Sequence, residues 1–247
     1  IPLCTSNRIN DPQVAEDILA DGHADMVSMA RPFLADAYFV SKAAAGKADE
    51  INTCIACNQA CLDHTFSNKI ASCLVNPRAC FETDLNYLPV TQAKKLAVVG
   101  SGPAGMEFAT TAARRGHDVT LFDSASEIGG QFNLAKTIPG KEEFHQTIRY
   151  FKKQIELTGV KLVLNKRVSA EDLKSFDEVI LATGIVPRAI NIEGANLQKV
   201  VSYVDIIKGN HVAGKRVAVI GAGGIGFDVS EYLSTEDPKH MPSVQEW

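Results

Sequence analysis

Four cysteines lie close together in the sequence and could hold a metal centre. Cys54, Cys57, Cys61 and Cys73 follow the spacing Cys-x2-Cys-x3-Cys-x11-Cys. Four thiolates suit a [4Fe–4S] cluster and also suit structural zinc. Zinc sites usually pair two Cys-x2-Cys units, and the second pair is missing here, so the spacing favours the iron–sulfur cluster. Because thiols stay reduced in the cytosol, the cysteines also indicate a cytoplasmic protein.

A glycine-rich turn could bind the phosphates of a dinucleotide. Gly100, Gly102 and Gly105 form a Gly-x-Gly-x-x-Gly pattern between a predicted strand and a predicted helix. The first glycine permits a tight turn, the second admits a pyrophosphate, and the third lets helix and strand pack closely. Asp123 ends the next predicted strand, where a carboxylate can bind ribose hydroxyls. The pattern predicts one dinucleotide site.

The same pattern occurs again near the end of the chain. Gly221, Gly223 and Gly226 repeat the spacing of the first turn 121 positions later. Two dinucleotide sites in one chain are typical of an enzyme that holds a flavin at one site and uses a diffusible nicotinamide at the other.

Other residues that could do chemistry have simpler interpretations. Arg8 and Arg31 each follow a predicted strand, where parallel sheets and barrels bind phosphate, although the spacing alone favours ordinary surface arginines. Cys4 and Cys80 are predicted to be spare buried thiols. His64 is predicted to be an exposed loop histidine.

Composition excludes several classes of protein. The chain has 247 residues with 25 Lys+Arg and 29 Asp+Glu, a net charge of −4, so a nucleic-acid partner is not expected. It has no run of about 18 apolar residues that would predict a membrane span. The length suits one large or two small domains. Because the chain begins at Ile1 and ends soon after the second glycine turn, we expect a piece of a longer protein.

Strands and helices alternate in a way that predicts an α/β fold with parallel sheets. Residues 1–40 read as strand, helix and strand, with Asp11 as the helix N-cap and Gly22 as its stop. Residues 46–92 contain few apolar runs, so metal–thiolate bonds are expected to hold them. Further strands are predicted at 96–99, 119–122, 160–164, 179–182 and 217–220. Residues 234–247 are predicted to form a loop.

Three longer helices connect these strands. The first is predicted over 103–115, with an apolar face made of Ala104, Phe108, Ala109 and Ala112. The second carries apolar residues at helical spacing and ends near Gly159. The third is predicted over 227–233.

Several segments resemble one family. The segment NRINDPQVAEDILADGHADMVSMARPFLAD resembles the end of the flavin-binding (β/α)8 barrel, a TIM barrel, of old-yellow-enzyme relatives. The segments CIACNQACLDHTF and SCLVNPRAC resemble the iron–sulfur linker of the bacterial NADPH-dependent 2,4-dienoyl-CoA reductases. The segments VVGSGPAGMEFA, LFDSASEIGGQFNLAKTIPGKEEF and VILATGIVPR resemble the FAD domain of the same enzymes.

The resemblance implies a layout of four parts. Residues 1–45 would be the end of the FMN-binding barrel, and 46–92 the [4Fe–4S] segment. Residues 93–184 would form a Rossmann-like FAD domain, and 185–247 the start of a Rossmann-like NADPH domain. The Tyr and His that donate protons in the family would lie upstream of Ile1, so no catalytic residue is expected in this chain.

The resemblance also implies a role for particular residues. Arg8, Ala30 and Arg31 would hold the FMN phosphate. Cys54, Cys57, Cys61 and Cys73 would bind the cluster. The FAD would contact Gly100, Gly102, Ala104, Gly105, Asp123, Gln131, Lys141 and Val168, and NADPH would contact Gly221, Gly223 and Gly226.

The implied activity is reduction of a small acyl-CoA thioester. Electrons would pass from NADPH to FAD, then to the [4Fe–4S] cluster and FMN, and finally to a 2,4-dienoyl-CoA of unsaturated fatty acid β-oxidation. Neither a nucleic acid nor a membrane is an expected partner. Trimethylamine dehydrogenase shares the architecture, so a relative of that type or an enoate reductase stays open. Two further alternatives are an FAD/iron–sulfur subunit similar to that of glutamate synthase and a nucleotide-binding protein whose cysteines hold structural zinc.

Overall fold

The computed structural model describes residues 1–235, and its first unit is a short parallel sheet. Strand β1 (Cys4–Ser6) pairs in parallel with β2 (Met26–Ser28), and helix α1 (Pro12–Ala20) connects them. Asp11 caps α1, since its side chain accepts a hydrogen bond from a backbone N–H of the first turn. The predicted strand–helix–strand unit is therefore confirmed.

A four-stranded parallel sheet forms the larger unit. Its strands lie in the order β5–β4–β3–β6, and they are β3 (Lys95–Val99), β4 (Asp118–Phe122), β5 (Lys161–Val163) and β6 (Glu178–Leu181). All neighbours pair in parallel, so the carboxyl ends of the strands share one edge. Ligands of such sheets bind at this edge, where the first glycine turn follows β3.

Within residues 1–235, nine further helices connect and cover the sheets. They are α2 (Arg31–Ala35), α3 (Phe39–Ala44), α4 (Leu62–Phe66), α5 (Pro103–Arg114), α6 (Phe132–Ala135), α7 (Glu143–Thr158), α8 (Ala170–Leu173), α9 (Tyr203–Ile207) and α10 (Gly224–Ser234). A 3₁₀ turn covers Ala48–Glu50. Over the part of the chain that is described, none of the helices combines the length and apolar character needed to cross a bilayer.

The main hydrophobic core lies between the four-stranded sheet and helices α5 and α7. Val98 and Leu121 contribute from the sheet, Met106 from α5, and Phe151 and Ile155 from α7. Burying each of these side chains stabilises the fold by roughly 1.5–3 kcal/mol. Helix α7 ends, as predicted, at Gly159, which adopts the left-handed conformation with φ +72°.

The predicted apolar face of α5 is only half right. Ala109 and Ala112 are buried, but Ala104 and Phe108 are exposed, and Phe108 keeps 40% of its surface accessible. The buried face instead includes Met106. The physical reason is the close approach of Gly105 to the Gly100 carbonyl oxygen, because the side of the helix that carries Gly105 and Ala109 then faces the sheet while Ala104 and Phe108 face away.

The predicted strand at 217–220 does not form. A strand exists only where a neighbour supplies hydrogen bonds, and none of the residues 1–235 pairs with this segment. Val217 and Ile220 are correspondingly exposed. The helix that follows, α10, begins three residues earlier than predicted. Of the predicted loop at 234–247, residues 236–247 lie outside the described residues.

Candidate functional site

The four cysteines of the predicted cluster site surround one cavity. Cys54, Cys57, Cys61 and Cys73 line one cavity, together with Arg31 and several apolar side chains. All four thiols are partly buried. The structure thus brings together residues that span 20 positions in the sequence, because the chain returns to the cavity after α4.

Backbone N–H groups point at the sulfur atoms of this cavity. The Ala56 N–H donates to Cys54 Sγ at 3.4 Å, and the N–H groups of Val75 and Asn76 lie near Cys73 and favour its thiolate. Burial raises the pKa of both thiols, and these N–H groups partly offset the effect. N–H groups directed at sulfur stabilise thiolate ligands and tune the potential of iron–sulfur clusters.

The four thiols are donors of the type that an iron–sulfur cluster uses. Within residues 1–235, no three His, Cys, Asp or Glu side chains lie in an arrangement that could hold a metal ion. Four partly buried thiols that line one cavity are nevertheless the kind and number of ligands that a [4Fe–4S] cluster requires.

The predictions for the other thiols and for His64 need correction. Cys4 and Cys80 are both exposed, not buried. Cys4 is the first residue of β1, and Cys80 occupies a turn with φ +65°. His64 lies half-buried on α4 and not in an exposed loop, and its Nδ1 is 3.0 Å from the Ile70 carbonyl oxygen.

Asparagine side chains attach the cysteine segment to the first sheet unit. The Asn10 amide donates to the Cys54 carbonyl oxygen at 2.8 Å, and the Asn76 amide donates to the Leu34 carbonyl oxygen at 2.8 Å. These bonds satisfy one backbone oxygen of the irregular cysteine segment and one near the end of α2. Sequence reasoning missed them because amide residues in loops carry no distinctive spacing.

A buried carboxylate anchors the start of the same segment. Asp36 accepts hydrogen bonds from Lys42 Nζ at 2.5 Å, from the Asn52 N–H at 2.9 Å and from the Tyr38 N–H at 3.0 Å. Lys42 also donates to the Glu50 carbonyl oxygen at 2.9 Å. The carboxylate is 5% exposed, so the loss of any of these hydrogen-bond partners would destabilise the fold. No sequence signal distinguished Asp36 from a surface acid.

The first glycine turn has the geometry that the sequence predicted. Gly100 has φ +109°, and a Cβ on Gly105 would lie 1.8 Å from the Gly100 carbonyl oxygen. Gly102 caps α5 and has nothing within 4 Å of where its Cβ would be. The N-terminus of α5 therefore faces open space through which a phosphate can approach.

Asp123 belongs to the same turn. Its Oδ2 accepts from the Ser101 N–H at 2.6 Å and the Ser101 hydroxyl at 2.7 Å, and its Oδ1 accepts from the Ala125 N–H at 2.8 Å. Burial on its own would raise the pKa of this carboxyl, but the hydrogen bonds outweigh burial and lower it. The carboxylate thus fixes the glycine turn directly.

This contact predicts a pH dependence of stability. Because the folded-state pKa of Asp123 lies below the ordinary value of 3.8, its contribution is present above that pH and is lost as the pH falls through the folded-state pKa. We expect Asp123→Asn to be less stable than wild type at pH 7 and the difference to shrink below about pH 4. Urea unfolding of both proteins between pH 3 and pH 7 measures this difference in stability. A difference that stays constant over this pH range would contradict the role assigned to the Asp123 carboxylate.

The remaining predicted FAD contacts divide into two groups. Ala104 lies exposed at the start of α5, and Gln131 belongs to a loop whose Gly129 N–H donates to the Ser101 carbonyl oxygen at 2.9 Å. These residues lie around the first glycine turn. Lys141 instead forms an ion pair with Asp228 of α10 at 2.6 Å. Val168 is half-buried just before α8.

The predicted FMN-phosphate residues contact the neighbouring parts of the chain. Ala30 is the residue before α2. Arg31 donates to the side-chain oxygens of Asn58 at 2.5 Å and Asn7 at 2.9 Å. Arg8 forms an ion pair with Glu143 of α7 at 2.5 Å. Arg31 therefore links the end of β2 to the cysteine cavity, and Arg8 links the end of β1 to the larger sheet unit.

The second glycine turn reproduces the first. A Cβ on Gly226 would lie 2.0 Å from the Gly221 carbonyl oxygen, Gly221 has φ +118°, and Gly223 caps α10. The close approach of the third glycine to the first is thus the same in both turns.

The fold and these two turns define a dinucleotide-binding α/β flavoprotein. Residues 94–237 match the family model of the pyridine nucleotide-disulphide oxidoreductases, and the chain belongs to this family. Residues 1–50 match the NADH:flavin oxidoreductase / NADH oxidase family. Together the matches support the old-yellow-enzyme-like class that the motifs resemble, with flavin and pyridine nucleotide as cofactors.

Individual relatives cover almost the whole chain. A metal reductase of Desulforamulus reducens is 38% identical over 95% of this chain and 36% of its own length. A cinnamate reductase of Clostridium sporogenes is 34% identical over 96% of this chain and 36% of its own. The solved structure of 2-naphthoyl-CoA reductase with 2-naphthoyl-CoA is 40% identical, with a TM-score of 0.89 over 94% of this chain and 36% of that one. The chain spans about a third of the length of these relatives.

Proposed function

We propose that this chain is the electron-relay part of an iron–sulfur flavoenzyme that uses NAD(P)H to reduce a conjugated carbon–carbon double bond. The observation that carries the proposal is the convergence of Cys54, Cys57, Cys61 and Cys73 on one cavity. That cavity is attached on one side to a segment that matches a flavin oxidoreductase family, and it is followed by a unit with two glycine turns.

The proposed layout assigns each part of the chain to one group. Residues 1–45 contribute to an FMN site, 46–92 hold the cluster, 93–184 hold FAD, and 185–247 begin the nicotinamide site. When bound, these groups supply electron transfer from a two-electron hydride donor through a one-electron centre to the substrate-reducing flavin.

The chain's own residues bind and orient these groups. The N–H groups at the start of α5 and the open space at Gly102 receive a pyrophosphate, while Asp123 holds the turn in shape. Gln131, Lys141 and Val168 are proposed to complete the FAD contacts, and Arg8 and Arg31 to meet the FMN phosphate. Gly221, Gly223 and Gly226 are proposed to receive the nicotinamide dinucleotide.

The proposed substrate is a conjugated carboxylic acid derivative. The motifs resemble those of 2,4-dienoyl-CoA reductases, so a 2,4-dienoyl-CoA is our first candidate. A second candidate is a free enoate, because one relative is a cinnamate reductase. The two candidates differ by the CoA thioester, so a direct comparison of substrates separates them.

The test is anaerobic turnover by the full-length protein. We expect NADPH or NADH oxidation that depends on added 2,4-dienoyl-CoA, measured against cinnamate and 2-naphthoyl-CoA as parallel substrates. Turnover only with cinnamate would favour the enoate alternative. Absence of both iron and flavin from anaerobically reconstituted protein would overturn the proposal.

A cysteine substitution tests the cluster directly. We expect Cys54→Ser to lower the iron content from about four atoms per chain to less than one, because a neutral hydroxyl replaces a thiolate ligand. The matched control is Cys80→Ser, since Cys80 is exposed and does not line the cavity. Iron and acid-labile sulfide analysis makes the measurement, and equal iron loss in both variants, or one zinc in the wild type, would contradict the assignment.

A further inference from the structure

One arginine of the FAD-type unit, which is the four-stranded sheet with helices α5 and α7, holds the chain immediately before Cys54. Arg149 lies on α7, and all five N–H donors of its guanidinium have an acceptor. The acceptors are Gln146 Oε1 at 2.6 Å, the carbonyl oxygens of Ala48 at 3.2 Å, of Asp49, and of Ile51 at 2.8 Å, and the Thr53 hydroxyl at 3.1 Å. Four of these five acceptors belong to residues 48–53, so the guanidinium organises that segment.

The later part of the segment that Arg149 binds, residues 51–53, is buried, whereas Ala48 and Asp49 are exposed. Ile51 is 1% exposed and Thr53 is 4% exposed, and Cys54 follows directly. Backbone oxygens in such a place need hydrogen-bond partners, because leaving one unsatisfied costs roughly 1–3 kcal/mol. Arg149 supplies those partners from a different unit of the fold.

Helix α7 is rigidly held on its other side. Phe151 and Ile155 lie in the core against the sheet that carries the first glycine turn. One helical turn after Arg149, Lys153 forms an ion pair with Asp49 at 3.2 Å. A continuous path of packed and hydrogen-bonded groups therefore runs from the FAD-type core through α7 to the residue before Cys54.

We infer that Arg149 is a positioning residue that fixes the Cys54 arm of the cluster site against the FAD-type unit, and thereby supports electron transfer between the two centres. The inference rests on the proposed function. Each transfer oxidises reduced FAD by one electron and reduces the cluster by one, and the flavin proton leaves to solvent. Lysine cannot replace the planar guanidinium group with its five N–H donors, because an ammonium group has three donors on one atom.

The test compares three variants of the reconstituted full-length protein. Arg149→Met removes the hydrogen bonds, Arg149→Lys keeps the charge, and Lys152→Met removes an exposed cation from the same helix as the matched control. The measurements are iron and FAD content, the EPR spectrum of the reduced cluster, amide hydrogen exchange of residues 48–57, and the rate of cluster reduction by NADPH and by dithionite.

We expect Arg149→Met to keep FAD, to shift the EPR spectrum, and to speed hydrogen exchange in residues 48–57. Cluster reduction by NADPH should slow at least tenfold while reduction by dithionite is unchanged, and Arg149→Lys should show a smaller effect of the same kind. If Arg149→Met loses its iron, the rates of cluster reduction by NADPH and by dithionite are compared in Arg149→Lys instead.

Spectra and NADPH-driven rates equal to those of Lys152→Met would overturn the inference. A wild-type protein that binds iron and flavin but shows no NADPH-driven cluster reduction would instead overturn the proposed function. In that case, hydrogen exchange of residues 48–57 still tests the role of Arg149. Unchanged exchange in Arg149→Met would show that Arg149 does not fix this segment.

Discussion

Substitution of Gly105 by alanine is expected to destabilise the FAD-type unit by about 3 kcal/mol and to abolish FAD binding. The new Cβ would lie 1.8 Å from the Gly100 carbonyl oxygen, which is backbone and cannot move aside as a flexible side chain would. Helix α5 would have to shift away from β3 and would open the core around Met106. Urea unfolding and the flavin absorbance of the purified protein measure the two effects.

Gly102→Ala is the matched control for this experiment. Gly102 has φ −72° and has nothing within 4 Å of the position of a Cβ, so alanine fits without strain. We expect this variant to unfold at nearly the wild-type urea concentration but to bind FAD more weakly, since its methyl group occupies the approach to the α5 N-terminus. Equal stability of Gly105→Ala and Gly102→Ala would show that the close helix–strand contact is not required.

Removal of the Asp36 carboxylate is expected to cost about 3–5 kcal/mol of stability, because a buried ion pair loses one partner. Asp36→Ala leaves the Lys42 ammonium, 24% exposed, with only the Glu50 carbonyl oxygen, and it leaves the Asn52 N–H unsatisfied. Since Asn52 lies two residues before Cys54, the cluster site should become labile as well. Urea unfolding and the rate of iron loss to a chelator provide the measurements.

Glu171→Ala is the control for the loss of a carboxylate. Glu171 and Lys174 form an exposed pair, at 77% and 69% side-chain exposure, and such pairs contribute little to stability. We expect this variant to match the wild type in both measurements. An Asp36→Ala protein as stable as Glu171→Ala would contradict the role assigned to the buried carboxylate.

The sequence by itself determined the features that depend on local rules. The two glycine turns, the Asp11 cap and the stop of α7 at Gly159 were all predictable, because each follows from the backbone geometry of a few neighbouring residues. The sequence also grouped Cys54, Cys57, Cys61 and Cys73 by their spacing, and the structure places all four around one cavity, while their role as cluster ligands stays a prediction.

Other features were decided by contacts between distant parts of the chain. The segment 217–220 has a strand-like sequence but forms no strand, because pairing depends on a neighbour and not on its own residues. Asp36 and Arg149 looked like ordinary charged residues in the sequence. Only the tertiary structure brings Asp36 to the Asn52 N–H, and only it places Arg149, about 100 positions away in sequence, on the carbonyl oxygens before Cys54. Partners at such separations leave no periodic signal, since their proximity results from packing of the sheet units.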